Sequence, residues 1–504
     1  VAQDVSEGKT MLDNRQYNQA VTFFTDMLIT APEHIEALNG LAEAQHRSGD
    51  PMTAIHTYQK SLKLNPGQPQ VWINIGNIQY YHQHYPEAVD SYQNAVNLDP
   101  KNAMAYNNLG SVLKEIGEYE KAIPHFITAY ELDPLYALAC RNLGNIFLRN
   151  GDGENAVRWM KTAIQLDPEN MRGQYWLGKS YYISGDFKSA QNQFLKVLSK
   201  KPDLHSVHHD LGLAYFRMRR YGMAIDHVQK AIRYNHSVFI YYLSLSQIFA
   251  NLHDEGRAMA VLDSALVYDR SIAEIWIAKG DIHKSAERYE DALQNYKIAS
   301  SYDSKSWKGF YKQGVVQFYL GRLDEALISL QKAQAINSAH RKVNHFLGLV
   351  YLGQEDAIQA NTHLILATEI DSTDSDILFH LGQSFTHLND YESAKKSLEK
   401  SLELAPNNSE ALYALGQVYR SLGDKKKSKE ALVKFKQISD FEKSKKTLKK
   451  QISLSPNNLE LRKKLAHLFE ENGDFKSAAE VWQQAVYFGD KSAMAELERL
   501  KPKL

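Results

Sequence analysis

His205, His208 and His209 carry the spacing most suggestive of metal chemistry, because the first and third share one face of a helix, as in a two-histidine site. His208, however, falls at a packing position and no cysteine accompanies the group, so no metal is expected. His82 and His84 surround an ordinary turn. The lone Cys140 excludes a disulfide within the chain and reads as a small buried apolar residue. The chain has no phosphate loop, no nucleophile elbow and no zinc-protease helix, and Gly151-Asp152-Gly153 is an interhelical turn. Neither catalysis nor a cofactor is expected of these residues.

The elements that carry them repeat. Twelve windows of 34 residues run without a gap from Val1 to Asn408, and all twelve have Ala at the twentieth position, from Ala20 through Ala122 to Ala394. Ten have Gly at the eighth, with Ala42 and Ser246 as the exceptions. In window 103–136, Tyr106, Leu109, Gly110 and Leu113 recur at helical spacing, and after a break at Gly117-Glu118 so do Ala122, Phe126 and Ala129. Each window therefore predicts two amphipathic helices. Gly110 and Ala122 face each other at their crossing, and Phe126 fills the wedge beside them. A repeat solenoid follows, and with it a binding scaffold in preference to an enzyme.

The order Trp72, Ile75, Gly76, Ala88, Tyr92, Ala95, Pro100 resembles the tetratricopeptide repeat, and the resemblance covers nearly the whole chain. It implies an all-α, right-handed superhelical solenoid of helix-turn-helix repeats, with a groove lined by first helices. It names no partner. In this family the groove is lined by positions 2, 5, 6, 9, 12 and 13 of each first helix. Those positions give Asn74, Asn77 and Tyr80, then Asn107 and Asn108, then Arg141, Asn142 and Asn145. Asn74, Asn108 and Asn142 at the sixth position resemble the asparagine ladder of a sugar-transferring member of the family, whose carboxamides can pair with the backbone of an extended peptide. The ladder ends at Trp176 and Asp210. Arg172, Tyr175, Trp176, Lys179, Tyr182 and Phe216 continue along the groove, and a second aromatic cluster comprises Tyr311, Phe318, Tyr319, Phe346 and Phe379. Aromatics on such a face suit interface anchors, unless neighbouring repeats cover them. The dicarboxylate clamp of chaperone-binding members begins at Arg141 and Asn145, but Trp176, Ser206 and Asp210 replace its remaining residues.

Two departures interrupt the pattern. Residues 203–405 contain no proline, although prolines close most other repeats, which predicts looser turns there. After a thirteenth repeat opening at Ser409, the next opens at Leu459, a spacing that leaves room for an additional helix over 441–454, unless a longer segment between the two is missing. The expected organisation is twelve repeats over 1–408, an expanded thirteenth over 409–458, a fourteenth over 459–490 and a capping helix over 491–504. Residues 425–450 hold eleven Lys against Glu430, Asp440 and Glu442. Such a run reads as a solvated helix face that could make weak contact with an anionic surface.

Lys plus Arg and Asp plus Glu are both 59, which argues against a nucleic-acid partner. No stretch approaches the roughly 18 apolar residues of a membrane span. The expectation is a soluble chain of the cytoplasm or of the bacterial periplasm or envelope, and the absence of an initiator Met before Val1 leaves room for a leader or anchor upstream. The function expected is a non-enzymatic scaffold or adaptor that binds protein or peptide segments in its groove. Two alternatives are the regulatory portion of an enzyme complex and a cell-envelope assembly protein.

Overall fold

Each 34-residue window folds as the helix pair its periodicity predicts. The structure, a computed structural model, describes residues 5–503; the first four positions of the first window and Leu504, at the end of the expected capping segment, lie outside them. The described residues form fourteen helix pairs, from Ser6–Asp13 with Tyr17–Thr30 to Leu459–Glu471 with Phe475–Tyr487, followed by Ala493–Leu500 and a short 3-10 turn, Lys501–Lys503. No helix among them is long and apolar enough to cross a membrane. They group into two compact bodies, residues 1–202 and 203–504.

The crossing of each pair follows from the small residues. Ala122 and Phe126 are fully buried. A Cβ added at Gly110 would lie 2.9 Å from the Phe126 ring, and one at Gly314 would lie 3.1 Å from the carbonyl oxygen of Ala326, the alanine of its own repeat. A side chain at either glycine would thus press against the second helix of its pair, which would have to give way. Cys140 is fully buried in this layer, and burial pushes its thiol up to about 11.

Between the helices of every repeat, the fifteenth position turns left-handed. Glycine holds it in seven repeats, whereas Arg15, Gln83, Arg219, His253, Glu287, Glu355 and Asn389 hold it in the others at φ of 57 to 63°. That backbone is disfavoured by roughly 1–2 kcal/mol for an L-residue, so the packed helix pair must impose it. The proline-free segment is not looser. An Asp or Asn follows each second helix from Tyr221–Tyr234 to Ala357–Ile370, and in four of these five turns, at Asn235, Asp269, Asp303 and Asp371, its side chain accepts from the backbone N–H two residues on. Ser237 donates to Asn235 at 3.1 Å, Ser271 to Asp269 at 2.8 Å and Thr373 to Asp371 at 2.9 Å. Three of the proline-bearing turns use the same device, at Asn65, Asp99 and Asp133, as Lys101 donates to Asp99 at 3.2 Å, whereas Ala31, Lys201 and Ala405 stand at that position in others. Where proline is absent, the acidic or amide residue fixes the turn.

The separate helix expected over 441–454 is absent as such. The second helix of the thirteenth repeat runs unbroken over Lys425–Leu454, 30 residues, since neither Gly nor Pro interrupts it. Beyond it the C-terminal body closes on its own turns. Arg219 pairs with Glu480, Arg257 donates to the Tyr487 hydroxyl at 3.2 Å, Gln484 donates to the Asn251 carbonyl at 3.3 Å, and Lys446 pairs with Glu287 at 2.6 Å. Arg219 and Glu287 hold the left-handed turns of repeats seven and nine. His253, between them in repeat eight, has its pKa pushed down to about 4 by burial, by Lys449 and by Arg462.

Candidate functional site

On the first-helix face, polar side chains are stitched from one repeat to the next. Position nine of one repeat meets position six of its successor: Asn108 donates to Asn77 at 3.2 Å, Asn142 lies 3.5 Å from the Ser111 hydroxyl, and Lys312 reaches Asp281 at 2.5 Å. Position five does the same, with Asn142 donating to Asn107 at 3.0 Å and the rings of His345 and His380 joined at 2.9 Å. Buried tyrosines of the second helices reach this layer from below. Tyr92 donates to Asn77 at 2.7 Å and Tyr296 to Asp281 at 2.7 Å, while Asn74 donates to the Tyr58 hydroxyl at 3.1 Å. Burial holds all three phenols far above their ordinary pKa.

This changes the meaning of the asparagine ladder. Asn74, Asn108 and Asn142 each make a bond within the protein, and Asn142 is buried. The spacing that aligns them for a peptide also aligns them for one another, and neighbouring repeats come close enough for the second use.

The stitching fails where Trp176 replaces the next rung. Asn145, at position nine of the fifth repeat, keeps a buried Oδ1 with no hydrogen-bond partner. A cavity of about 640 Å³ opens here, lined by Lys114, Tyr119, Asn145, Arg149, Trp176 and Lys179 among others. The repeats of residues 103–204 supply them: Lys114 from Ala103–Glu115, Asn145 and Arg149 from Ala137–Arg149, Trp176 and Lys179 from Met171–Ile183. Trp176 is half-buried, and its ring lies 5.4 Å from Tyr175, with the Lys179 ammonium over its face at 5.5 Å. Arg149 sits over Tyr119 at 4.9 Å, and Lys114 reaches Asn142 at 3.4 Å. Three cations thus line the cavity with one carboxylate, Glu115. Lys114 and Arg149 were legible as groove positions twelve and thirteen, but no sequence signal marked the unpaired carboxamide.

The other expected residues divide. Arg141 lies 3.6 Å from Asp167, Arg172 is exposed, and Tyr80, Tyr182 and Phe216 lean on Tyr85, Phe187 and Tyr221 at 5.4 to 6.1 Å. The second aromatic cluster is largely covered. Phe379 is only 3% exposed and belongs to the core, which rules it out as a groove anchor. Tyr311, Phe318 and Phe346 are half-buried edge to face at 5.7 and 6.2 Å over the core of their repeats. Tyr319 alone stands well out, 49% exposed and stacked on Tyr289 at 5.5 Å. His205 meets the Tyr241 hydroxyl at 2.7 Å, His209 meets Ser244 at 2.9 Å, and His208 meets His227 at 2.9 Å.

Family models described as TPR repeat or tetratricopeptide repeat match residues 6–69, 76–117, 103–134, 144–185, 205–236, 277–340, 375–408 and 397–431, together more than half of the chain. The chain belongs to the tetratricopeptide repeat family. It is an all-α solenoid of the kind that serves as a protein-protein interaction scaffold, and the fold is typically non-enzymatic. Among solved structures, yeast Tom70 is 16% identical over 93% of this chain and 99% of its own, with a TM-score of 0.40. Cut9-Hcn1, described as an APC/C hetero-tetramer, is 15% identical over 98% and 95%, with a TM-score of 0.37. YrrB, described as a TPR protein with an unusual peptide-binding site, is 20% identical over 36% and 95%, with a TM-score of 0.35. No curated protein matches the chain.

Proposed function

We propose that the chain is a non-enzymatic adaptor that takes an extended, acidic peptide segment across the first helices of repeats four to six. The observation that carries this reading is the unpaired Asn145 Oδ1 beside the half-buried Trp176 ring. A buried acceptor without a donor is unfavourable by about 1–3 kcal/mol, and a peptide N–H reaching it as Trp176 turns aside would remove that penalty. Trp176 then offers an aromatic anchor, and Lys114, Arg149 and Lys179 supply the charge that favours carboxylate-bearing sequences. Display of random peptides to the full chain tests the reading. Enriched sequences should carry Asp or Glu beside an apolar residue, and Trp176→Ala should abolish the enrichment; enrichment indifferent to Trp176 would place the site elsewhere.

A further inference from the structure

The closure of the C-terminal body leaves a second cavity, of about 470 Å³, between the helix Lys425–Leu454 and the turns of repeats eight and nine. One wall presents Lys445, Lys446, Lys449 and Lys450; the other presents His253, Glu255, Glu287 and Arg288, with Ala250, Ile282 and Ala286 as an apolar floor. Five fixed cations therefore meet three carboxylates, the third being Glu442. Those carboxylates are committed: Lys446 pairs with Glu287 at 2.6 Å, Lys445 with Glu442 at 2.5 Å and Arg288 with Glu255 at 2.8 Å. Lys449 and Lys450 have no ion-pair partner among the described residues, and Lys449 is half-buried. Arg462 stands close enough to add its charge to that of Lys449 at His253.

An unpaired, partly desolvated ammonium such as that of Lys449 is costly, and with the exposed Lys450 beside it the cavity carries a local excess of positive charge that a compact anion would neutralise. The donors select among anions. The one guanidinium lining the cavity, Arg288, is held by Glu255 and by His283 at 3.1 Å, so no free planar fork faces a carboxylate. Lysines act as point charges, which suits the three-fold oxygen surface of a phosphate. We propose that this cavity binds a phosphate-bearing ligand, with Lys449 and Lys450 as its charge partners and His253 beside them, the apolar floor receiving the group that carries the phosphate. The bound anion would bridge the long helix to the turns of repeats eight and nine, tying the C-terminal repeats to the body that they close.

The site is tested on the full chain by calorimetric titration with inorganic phosphate and pyrophosphate at matched ionic strength, so that general screening is constant. The His253 ring resonance serves as a reporter of place. Pyrophosphate should bind in the millimolar range or tighter and shift His253, and Lys449→Gln with Lys450→Gln should weaken it about tenfold or more, because each removes a charged hydrogen bond. The paired Lys445→Gln variant controls for a general loss of charge and should change affinity less. Co-sedimentation with vesicles of phosphatidylcholine, with and without a phosphoinositide, separates the source of the phosphate. Soluble binding alone indicates a free ligand, and retention on phosphoinositide vesicles that the double variant loses indicates a headgroup. Failure of both soluble anions and vesicles to bind, or equal binding by the double variant, overturns the proposal.

Discussion

The guanidinium of Arg462 donates at 2.9 Å to the carbonyl oxygen of Leu252, 210 positions earlier in the sequence. It also donates to Pro456 at 2.8 Å and to Gln484 at 3.0 Å and lies over the Phe488 ring at 4.1 Å. Arg462 is fully buried, and burial lowers its pKa to about 10. A charge so placed is tolerated because its donors are satisfied by carbonyls, and it fastens the fourteenth repeat to the left-handed turn of the eighth.

Arg462→Met keeps much of the side-chain volume and leaves those carbonyls unpaired. The change should destabilise the C-terminal body by roughly 2–4 kcal/mol. Chemical denaturation measures the loss, and faster hydrogen exchange over the turn at 251–254 would localise it to the closure. An unchanged denaturation midpoint would mean that the closure contributes nothing to stability.

Acid should loosen the same body. Burial, reinforced by His380, holds His345 down at about 3; burial and His208 hold His227 at about 4; burial, Lys449 and Arg462 hold His253 at about 4. Each is neutral in the fold and would take a proton near pH 6.5 when unfolded. The unfolded chain then binds more protons, so stability is complete above about pH 6.5 and declines as pH falls toward 4, by up to about 1.4 kcal/mol per pH unit for each histidine. Denaturation midpoints at about pH 7.5, 6 and 5, on either side of the ordinary imidazole range, follow the decline. His345→Gln should remove its share of the decline and leave that of His227 and His253.

The triple change of Asn74, Asn108 and Asn142 to Ala separates a ligand ladder from inter-repeat stitching. Because these side chains bond to Tyr58, Asn77 and Asn107, the variant should melt at a lower temperature, with a loss of roughly 1–3 kcal/mol carried mainly by the buried Asn142. An unchanged melting temperature would return the carboxamides to the solvent.

The repeat and its helix pairs were legible because packing of small residues imposes a period, and Ala122 or Gly110 reports that period wherever it stands. The groove positions came from the resemblance to the family, laid onto that period. What occupies them was less so. The sequence places Asn77 and Asn108 on one face without showing that neighbouring repeats bring them to 3.2 Å, and it gives Phe379 an aromatic ring without showing that adjacent repeats bury it. The contact of Arg462 with Leu252 joins residues too far apart for any local pattern to record. The continuation of the long helix through Phe441 was readable from the lack of Gly or Pro, but the repeat period suggested a break there.

The affinity of a display-selected acidic peptide for the wild-type chain and for Trp176→Ala, with helical content checked by circular dichroism, tests the groove site most directly. Loss of a buried aromatic anchor commonly costs about 2 kcal/mol, so the variant should bind roughly thirtyfold more weakly with its helical signal intact. Equal affinity of the two chains would contradict the assignment of peptide binding to the groove around Trp176 and Asn145.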